Sequence, residues 1–327
     1  MPLLSFGHNP HAVKELASYL DGHVRVVVSH DDVDLVFTAQ CNDTWPGTIA
    51  RSRISVADFL AKGAGPWPWF DLYEKRDAMT RVLDALGADR PAWTEPLPAD
   101  ILDLFERAHR GDSSVIELLA MGFDPDPVDP CGASPLWYGV RSLSAGIVVA
   151  LIDAGADAGR RIELSARGER YTTILHEIVR VGRTVALNHA LAQGVDPALV
   201  DSEGATPMHV IADAGDQVNA EAVRALARAG ASVNTPTPAG TQPIENAARQ
   251  MLPATVTALI ELGAEPGRGL DAVMSSLAGG AHDAGWRARD AVEVIGTLVC
   301  AGATVTERHR ELAATAGDTQ VEAALRR

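Results

Sequence analysis

The sequence has no long apolar run, and this absence excludes a protein that spans a membrane with a helix. No stretch of the 327 residues approaches the length of about eighteen apolar residues that a membrane-spanning helix needs. The N-terminus also lacks the basic start, the apolar run and the small-residue cleavage site of a secretory signal. We therefore expect a cytoplasmic protein that does not bind a membrane.

Cysteine is scarce, and its three copies are far apart in the sequence: Cys41, Cys131 and Cys300. An odd and widely spaced set indicates neither a disulfide framework nor a zinc site. We expect all three cysteines to be small buried hydrophobic residues. Neither a metal nor a cofactor is expected anywhere in the protein.

Positive charge is also in short supply, since 28 Lys and Arg stand against 43 Asp and Glu, a formal net charge of −15. Both parts of the chain are acidic: nine basic against thirteen acidic residues in 1–95, and nineteen against thirty in the remainder. Phosphate contacts provide most non-specific affinity for nucleic acids, and an acidic surface repels that backbone. DNA and RNA are therefore not expected as partners.

What the sequence does contain is a short phrase that recurs six times after residue 97. Each copy is an apolar segment followed by a glycine, at Gly122, Gly155, Gly194, Gly230, Gly263 and Gly302. Successive glycines are 33, 39, 36, 33 and 39 residues apart, which is a period of 33 with insertions of three or six residues. Because glycine readily takes the left-handed conformation that ends a helix, each copy predicts a helix terminus.

A second phrase comes twelve residues after most of these glycines and is typical of a helix start. Its copies are Ser134-Pro-Leu-Trp-Tyr-Gly-Val140, Thr206-Pro-Met-His-Val-Ile-Ala212 and Gln242-Pro-Ile-Glu-Asn-Ala-Ala248. Serine or threonine caps a helix, and proline fits the first helical turn. Together the two phrases resemble the T-P-L-H-x-A signature of the ankyrin-repeat family, most closely at Thr206–Ala212.

This resemblance covers about 230 residues, from 97 to 327, and implies a mainly α fold. The expected architecture is an ankyrin-repeat α-solenoid of about seven helix-pair repeats, including polar caps at both ends. The caps are predicted over 98–119 and 306–325. In the third repeat, Thr173-Ile-Leu-His comes eighteen residues after Gly155, which locates a six-residue insertion in the loop before it. We call the loop between two helix pairs a finger.

The remaining part, residues 1–95, resembles no family that we recognise and shows no repeat. It holds ten of the sixteen aromatic residues, which predicts a separate folded core. Helical spacing of apolar residues predicts a helix over 10–21, and β-branched residues predict a hairpin over 24–38. A short strand near Ile49 and helices over 55–62 and 71–86 complete a small α+β domain. The expected domains are thus 1–95 and 96–327.

The enlarged finger is the first candidate for a binding site, because it gathers basic residues on an acidic protein. It contains Arg160, Arg161, Arg167, Arg170 and Tyr171. Insertions in a solenoid often fall on the binding face, arginine suits carboxylate or phosphate contacts, and tyrosine adds rigid contact area. The alternative is a solvated loop whose arginines pair with acidic residues of neighbouring fingers.

Three residues in repeat two are further candidates: Trp137, Tyr138 and Arg141, expected beside the enlarged finger on the concave surface. Trp137 stands where the family usually has histidine, so packing between fingers is the alternative. Trp286, in the insertion of repeat six, is a second candidate for an exposed aromatic anchor. The segment Trp67-Pro-Trp69-Phe70 is either an anchor for a partner or, as we favour, a buried wedge between the two domains.

The ankyrin resemblance implies binding of another protein rather than catalysis, by a chain expected to be monomeric. The protein would be a scaffold or an inhibitor. Stand-alone ankyrin proteins of bacteria include neutralisers of toxins, and that narrower hypothesis is an analogy of fold alone. A self-associating structural module is a weaker alternative, which a size measurement in solution would test. No catalytic residue is expected, and the signature histidines His176 and His209 are expected to brace the fingers.

The rival hypothesis is an enzyme whose N-terminal domain catalyses while the repeats select its substrate. That domain contains residue types that could form a metal site or an acid–base site, but their spacing is not diagnostic of either. They are His8, His11, His23, His30, Asp31, Asp32, Asp34 and Cys41. The turn-like composition of 30–32 favours a structural role for this part of the set. The enzyme hypothesis requires several of these side chains to converge in one pocket with perturbed pKa values.

Overall fold

The computed structural model describes residues 14–21, 24–30, 34–41, 48–62, 73–89, 98–128, 132–142, 144–164, 170–210, 215–278, 285–316 and 319–326. The protein is mainly helical, as the sequence predicts, with a four-stranded sheet near the N-terminus and one short two-stranded sheet farther along. Among the described residues, no helix has both the length and the apolar character needed to cross a bilayer.

The N-terminal sheet is an antiparallel meander of four strands in sequence order. Its strands are β1 Lys14–Asp21, β2 Val24–His30, β3 Asp34–Cys41 and β4 Thr48–Ser55. Two helices follow, α1 Val56–Lys62 and α2 Tyr73–Leu86. The first contacts β3 and β4, and the second contacts β1. Both helices and the sheet contribute fully buried side chains, namely Leu35, Phe59, Val82 and Leu83.

The predicted helix over 10–21 is wrong, because residues 14–21 form the edge strand β1. The hairpin, the fourth strand and both helices are confirmed. The register between β1 and β2 shifts between Glu15 and Ala17, so that a bulge interrupts the strand at Leu16. A bulge breaks the alternation with period two that marks a strand, and pairing with the apolar strand β2 outweighs a weak helical preference.

The rest of the chain is built from helices joined in pairs, with one additional hairpin. The elements are α3 Ala99–Arg110, α4 Val115–Ala120, α5 Pro135–Arg141, α6 Ala145–Asp153, β5 Arg161–Glu163, β6 Tyr171–Thr173, α7 Ile174–Arg180, α8 Thr184–Ala192, a 3-10 helix Pro207–His209, α9 Asp216–Arg228, α10 Pro243–Arg249, α11 Pro253–Glu261, α12 Pro266–Ala278, α13 Gly285–Cys300, α14 Glu307–Ala316 and α15 Thr319–Ala324.

These helices stack in two rows, and each helix contacts the next one in its own row. The first row is α3, α5, α7, the 3-10 helix, α10, α12 and α14. The second row is α4, α6, α8, α9, α11, α13 and α15. Apolar side chains between the rows form one continuous core from Leu104 to Leu325. Since each pair packs against its neighbours, the polypeptide presents a long row of helix ends and fingers.

The glycines of the recurring phrase all lie just beyond the ends of helices, with positive φ. They are Gly122 (φ 90°), Gly155 (107°), Gly194 (87°), Gly230 (101°), Gly263 (92°) and Gly302 (97°). In each case the glycine N–H donates to the carbonyl three residues back, and the next N–H donates to the carbonyl five residues back. This pair of bonds satisfies carbonyl groups that the helix end leaves without partners.

The predicted first helix of the fourth pair is shorter than expected. The signature segment after Thr206 forms only the 3-10 helix Pro207–His209, where the sequence predicts a longer first helix in each pair. Half of the turn predicted around 212–217, residues 212–214, lies outside the described ranges, and its last two residues begin α9. The predicted loop over 279–285 is likewise outside them except for its last residue, which begins α13.

Candidate functional site

The enlarged finger is a short hairpin formed by β5 and β6. Arg161 pairs with Thr173, Ile162 with Thr172 and Glu163 with Tyr171. The side chain of Ile162 is fully buried and anchors the hairpin in the helical core. An apolar side chain thus anchors the finger in the stack, while Arg161 and Glu163 on either side of it alternate toward the other face of the hairpin.

Arg160 forms an ion pair with Asp126, which lies in the preceding finger. Both side chains are largely buried, and Arg160 Nε and Asp126 Oδ1 have no partner among the described residues. For this arginine, the alternative of pairing with an acidic residue of a neighbouring finger is correct. Arg160 joins two fingers and is poorly placed to contact another molecule.

The exposed basic groups of the finger are Arg161 and Arg170. The guanidinium of Arg161 lies 3.5 Å from the ring centroid of Tyr171, across the hairpin, in a cation–π contact. This stacking holds one cation and one aromatic ring in a fixed arrangement at the surface. Arg167, which the sequence also singles out, lies outside the described residues.

Trp137 and Tyr138 do not lie on an accessible surface, contrary to one of our two interpretations. Each side chain is only 3% exposed, because six consecutive residues of the short helix α5 are buried. The Tyr138 ring packs edge-on against Phe105, with centroids 5.7 Å apart. The packing interpretation of Trp137 is therefore the correct one, and neither ring can contact a partner directly.

Trp137 stands at the position where the helix starts at Thr173 and Thr206 have a bracing histidine. In α7, Thr173 Oγ1 lies 2.8 Å from His176 Nδ1, and His176 Nε2 donates to the carbonyl of Ala205 at 2.9 Å. In α5 the equivalent cap residue is Ser134, whose buried hydroxyl has no hydrogen-bond partner among the described residues. The tryptophan thus exchanges a hydrogen-bonded brace for apolar packing.

Arg141 is the member of the Trp137, Tyr138 and Arg141 set that reaches solvent, with a side chain 51% exposed. Its guanidinium carbon lies 5.3 Å from the Trp137 ring centroid. Its Nε atom lies 3.4 Å from Glu177 Oε1, on the next helix of the first row. The buried ring therefore contributes to the surface indirectly, by supporting a half-exposed cation.

Glu177 and Arg180, which the sequence analysis did not select, complete a cluster with Arg141. Arg180 donates from Nε to Glu177 Oε2 at 2.8 Å and from Nη2 to Oε1 at 2.6 Å, a bidentate ion pair. The Glu177 side chain is 5% exposed, whereas that of Arg180 is 42% exposed. The spacing of three residues within a helix could have suggested this pair. The burial of the glutamate could not be foreseen.

A similar cluster lies farther along the first row, around Glu245. Arg249 Nη2 lies 2.9 Å from Glu245 Oε2, and Arg268 Nη1 lies 3.2 Å from Oε1. A second acid, Glu265, lies 3.5 Å from Arg268 Nε. Two arginines thus face two glutamates here.

Trp286 and the segment 67–70 are the remaining aromatic candidates. Trp286 lies in α13, but its side chain is outside the described set. The segment 67–70 is outside the described residues altogether.

Cys300 is exposed, which contradicts the prediction that it is buried. It lines an open groove of about 700 Å³ between α11 and α13, next to Ile260 and Val292.

The signature histidines His176 and His209 are buried and braced by hydrogen bonds. Burial lowers the pKa of both imidazoles, and bonds to the carbonyls of Ala205 and Thr241 oppose that shift only in part. Both nitrogens of each ring are engaged, and the rings are closed off from solvent. This geometry agrees with a bracing role.

Three of the residues that could take part in chemistry, His30, Asp34 and Cys41, lie on described strands of the N-terminal sheet. Asp34 lies at the same end of the β2–β3 hairpin as His30, because its neighbour Leu35 pairs with His30. The strand register places His30 opposite Leu35 and Cys41 opposite Val24, so the two lie at opposite ends of the β2–β3 hairpin. Six residues of strand correspond to roughly 20 Å. No group of three or more His, Cys, Asp or Glu suited to a metal ion is found among the described residues. His8, His11, His23, Asp31 and Asp32 lie outside them.

A scan against models of known protein families gives no match, and neither does a search among curated protein sequences.

Proposed function

We propose that residues 96–327 form an ankyrin-repeat solenoid of about seven repeats and that the protein works by binding a partner protein. The partner would lie along the groove of the first helix row and the adjoining fingers, and the protein would act as a scaffold or an inhibitor. The observation that carries this proposal is the shared turn geometry at the six phrase glycines. Each glycine lies between the second helix of one pair and the first helix of the next, in a stack of two rows of contacting helices.

A stack of this kind supports binding because of the surface that it leaves exposed. Each pair buries its apolar face against the next, so the fingers and first-row helix ends are free to vary in sequence. Three successive fingers carry exposed apolar residues: Val128 (47% exposed), Leu164 (40%) and Val200 (47%). Protein interfaces use apolar side chains together with arginine and tyrosine, and these fingers carry both: the three exposed apolar residues, and Arg161 with Tyr171.

Affinity capture with the intact chain tests this function. A captured protein is identified, purified and then titrated against the wild-type chain and two variants, Arg161→Ala with Arg170→Ala, and Arg224→Ala. Arg160 is left unchanged because its removal would leave Asp126 buried without a counter-ion. If the finger contributes, the double variant binds at least about tenfold more weakly, since each charged contact contributes roughly one tenfold step in affinity.

Arg224→Ala is the matched control, because Arg224 lies in the second row and pairs with Glu261 on the surface. Undiminished binding by the double variant would remove the finger from the interface. Failure of the intact chain to capture any protein, together with a dimeric or larger mass in solution, would instead favour a self-associating module.

A further inference from the structure

Three exposed apolar side chains lie on three successive fingers: Val128, Leu164 and Val200. We call these three residues the finger ridge. Val128 and Val200 each come six residues after a phrase glycine, Gly122 and Gly194, so they occupy equivalent positions in their fingers. Leu164 directly follows β5 in the enlarged finger. Large apolar side chains that line up on a surface in this way mark a site of interaction.

Contacts between neighbouring fingers hold the finger ridge together. Arg160 of the enlarged finger pairs with Asp126, which lies two residues before Val128. On the other side, the N–H of Ser202 in the third finger donates to the carbonyl of Tyr171 in the enlarged finger at 3.0 Å. The three fingers are thus joined to each other before a partner arrives, which reduces the entropy lost on binding.

The spacing of the finger ridge matches an α-helix better than an extended strand. Packed helices lie about 8–10 Å apart. Each finger precedes one helix of the first row, so the ridge residues are expected to recur at about that interval. On a helix, side chains seven residues apart share a face and are about 10 Å apart. On one face of a strand, side chains recur about every 7 Å and lose register within three fingers.

Acidic residues flank the finger ridge at both ends. Residues 111–140 contain five acidic residues and no Lys or Arg, and residues 184–223 contain six acidic residues and no Lys or Arg. In the two outer fingers, Asp124 and Asp196 are exposed, and each accepts a backbone N–H of its own turn. The enlarged finger between them carries both signs of charge. A segment that is complementary to this surface therefore has basic residues at its two ends.

We propose that the finger ridge binds an amphipathic α-helix of the partner protein, with apolar residues at intervals of seven and basic residues at both ends. The inference rests on the proposed function and names the chemistry of the partner. Each apolar residue of the helix covers one ridge side chain, and the basic ends lie beside Asp124 and Asp196. A nucleic acid would bring phosphates to the same carboxylates and is repelled there.

Fluorescence anisotropy with labelled helical peptides tests this site on the intact chain. The probe is an alanine-based peptide with three leucines at intervals of seven residues and two lysines at each end. The control peptide has the same composition, but its leucines are five residues apart and therefore do not share a face. At about 0.1 M salt, the probe is expected to bind roughly tenfold more tightly than the control, because only the probe can bury all three leucines together.

Val200→Ser and Val185→Ser form a matched pair of variants. Both valines are exposed, but Val185 lies in α8 of the second row. Val200→Ser is expected to weaken binding of the probe roughly fivefold, because it removes one apolar contact. Val185→Ser is expected to leave this binding unchanged. Both variants should keep the circular dichroism spectrum of the wild type, because neither side chain belongs to the core.

Asp196→Asn tests the charge at one end of the finger ridge. Asparagine keeps an oxygen that can accept the N–H of Ala198, and it removes the negative charge. Binding of the probe should weaken about threefold at low salt, and this difference should shrink at about 0.5 M salt, where such attraction is screened. Glu221→Gln removes an exposed charge from α9 in the second row and should have little effect. Equal weakening by both variants would contradict a basic helix end at Asp196.

Equal affinity for the probe and the control peptide, or equal affinity of the two valine variants for the probe, would overturn this inference. A dimer of the chain that Val200→Ser dissociates would also overturn it, because a second copy would then cover the finger ridge. After either failure with peptides, the proposed function stands if affinity capture still yields a partner whose binding depends on the enlarged finger. If the peptide results hold and no partner protein is captured, the helix site is real and the proposed function is wrong.

Discussion

Among single residues, buried charge has the clearest energetic consequence. The Glu177 carboxylate is held in the first row by two arginines, and Arg180 makes the shorter contacts. We expect Arg180→Ala to lower the free energy of unfolding by roughly 1–3 kcal/mol, because a buried acceptor then keeps only its weaker partner. Arg224→Ala, which breaks a pair between two exposed side chains, should cost about 0.5 kcal/mol or less. Urea unfolding of both variants checks this, and equal losses would contradict it.

The braced histidines predict a dependence of stability on pH. Burial lowers the pKa of His176 and His209 in the folded state, so the unfolded chain binds protons more readily. Their contribution to stability is complete above the unfolded pKa of about 6.5 and is lost as the pH falls through the folded values. The urea midpoint should therefore decrease from pH 7.5 to pH 5.5.

Replacing both histidines by glutamine supplies the control for this pH dependence. The double variant should be less stable than the wild type at pH 7.5, because the bonds to Ala205 and Thr241 are weakened. Its urea midpoint should also change less between the two pH values. An unchanged pH dependence would assign the effect to other groups.

The residues of the site were predicted from the sequence only in part. Arg161, Arg170 and Arg141 are exposed, as expected for contact groups, because charged side chains seldom enter a core without a partner. Tyr138 and Trp137 are buried because α5 has only seven residues and is enclosed by helices on both sides. Amphipathic spacing cannot be read in so short a helix. Glu177 was missed because its burial depends on packing between α5 and α7.

At the scale of secondary-structure elements, turn chemistry was predictable and strand pairing was less so. The phrase glycines end helices as expected, because left-handed backbone is a local property of the residue. Met251 reaches the same conformation (φ 57°) after α10, and no sequence pattern predicts it. Its side chain is 3% exposed, so core packing holds the unfavourable backbone in place. Strand β1 was mistaken for a helix for a similar reason, since its pairing partner decides its conformation.

Gly155 and Gly146 form a matched pair that tests the role of the turn. An added Cβ would meet no atom within 4 Å at either position, so backbone conformation alone separates them. Gly155 has φ 107°, whereas Gly146 lies within α6. Gly155→Ala should destabilise the protein by roughly 1–2 kcal/mol, because an L-residue is strained there. Gly146→Ala should stabilise it by up to about 1 kcal/mol. Thermal unfolding of both variants measures these changes in stability. Two changes of the same sign would contradict this assignment of the turn.

At the scale of the whole molecule, the contacts are between neighbours, although the core is continuous. Each helix of a row contacts the preceding and following members, and the main contacts among the described helices join members of one pair or of neighbouring pairs. Stability in such an arrangement is close to a sum of terms for each pair and each interface between pairs. A local change should therefore loosen its own end of the molecule first.

Two buried leucines at opposite ends test this behaviour. Leu298 lies in α13 and Leu104 in α3, and both are at most 1% exposed. Replacing either by alanine removes buried apolar volume, at a cost of roughly 2–5 kcal/mol. Amide hydrogen exchange followed by mass spectrometry should then show faster exchange in α11–α15 for Leu298→Ala, with α3–α6 unchanged, and the reverse for Leu104→Ala. If either variant accelerated exchange equally at both ends, the molecule would unfold as one cooperative unit, and a stack of semi-independent pairs would no longer describe it.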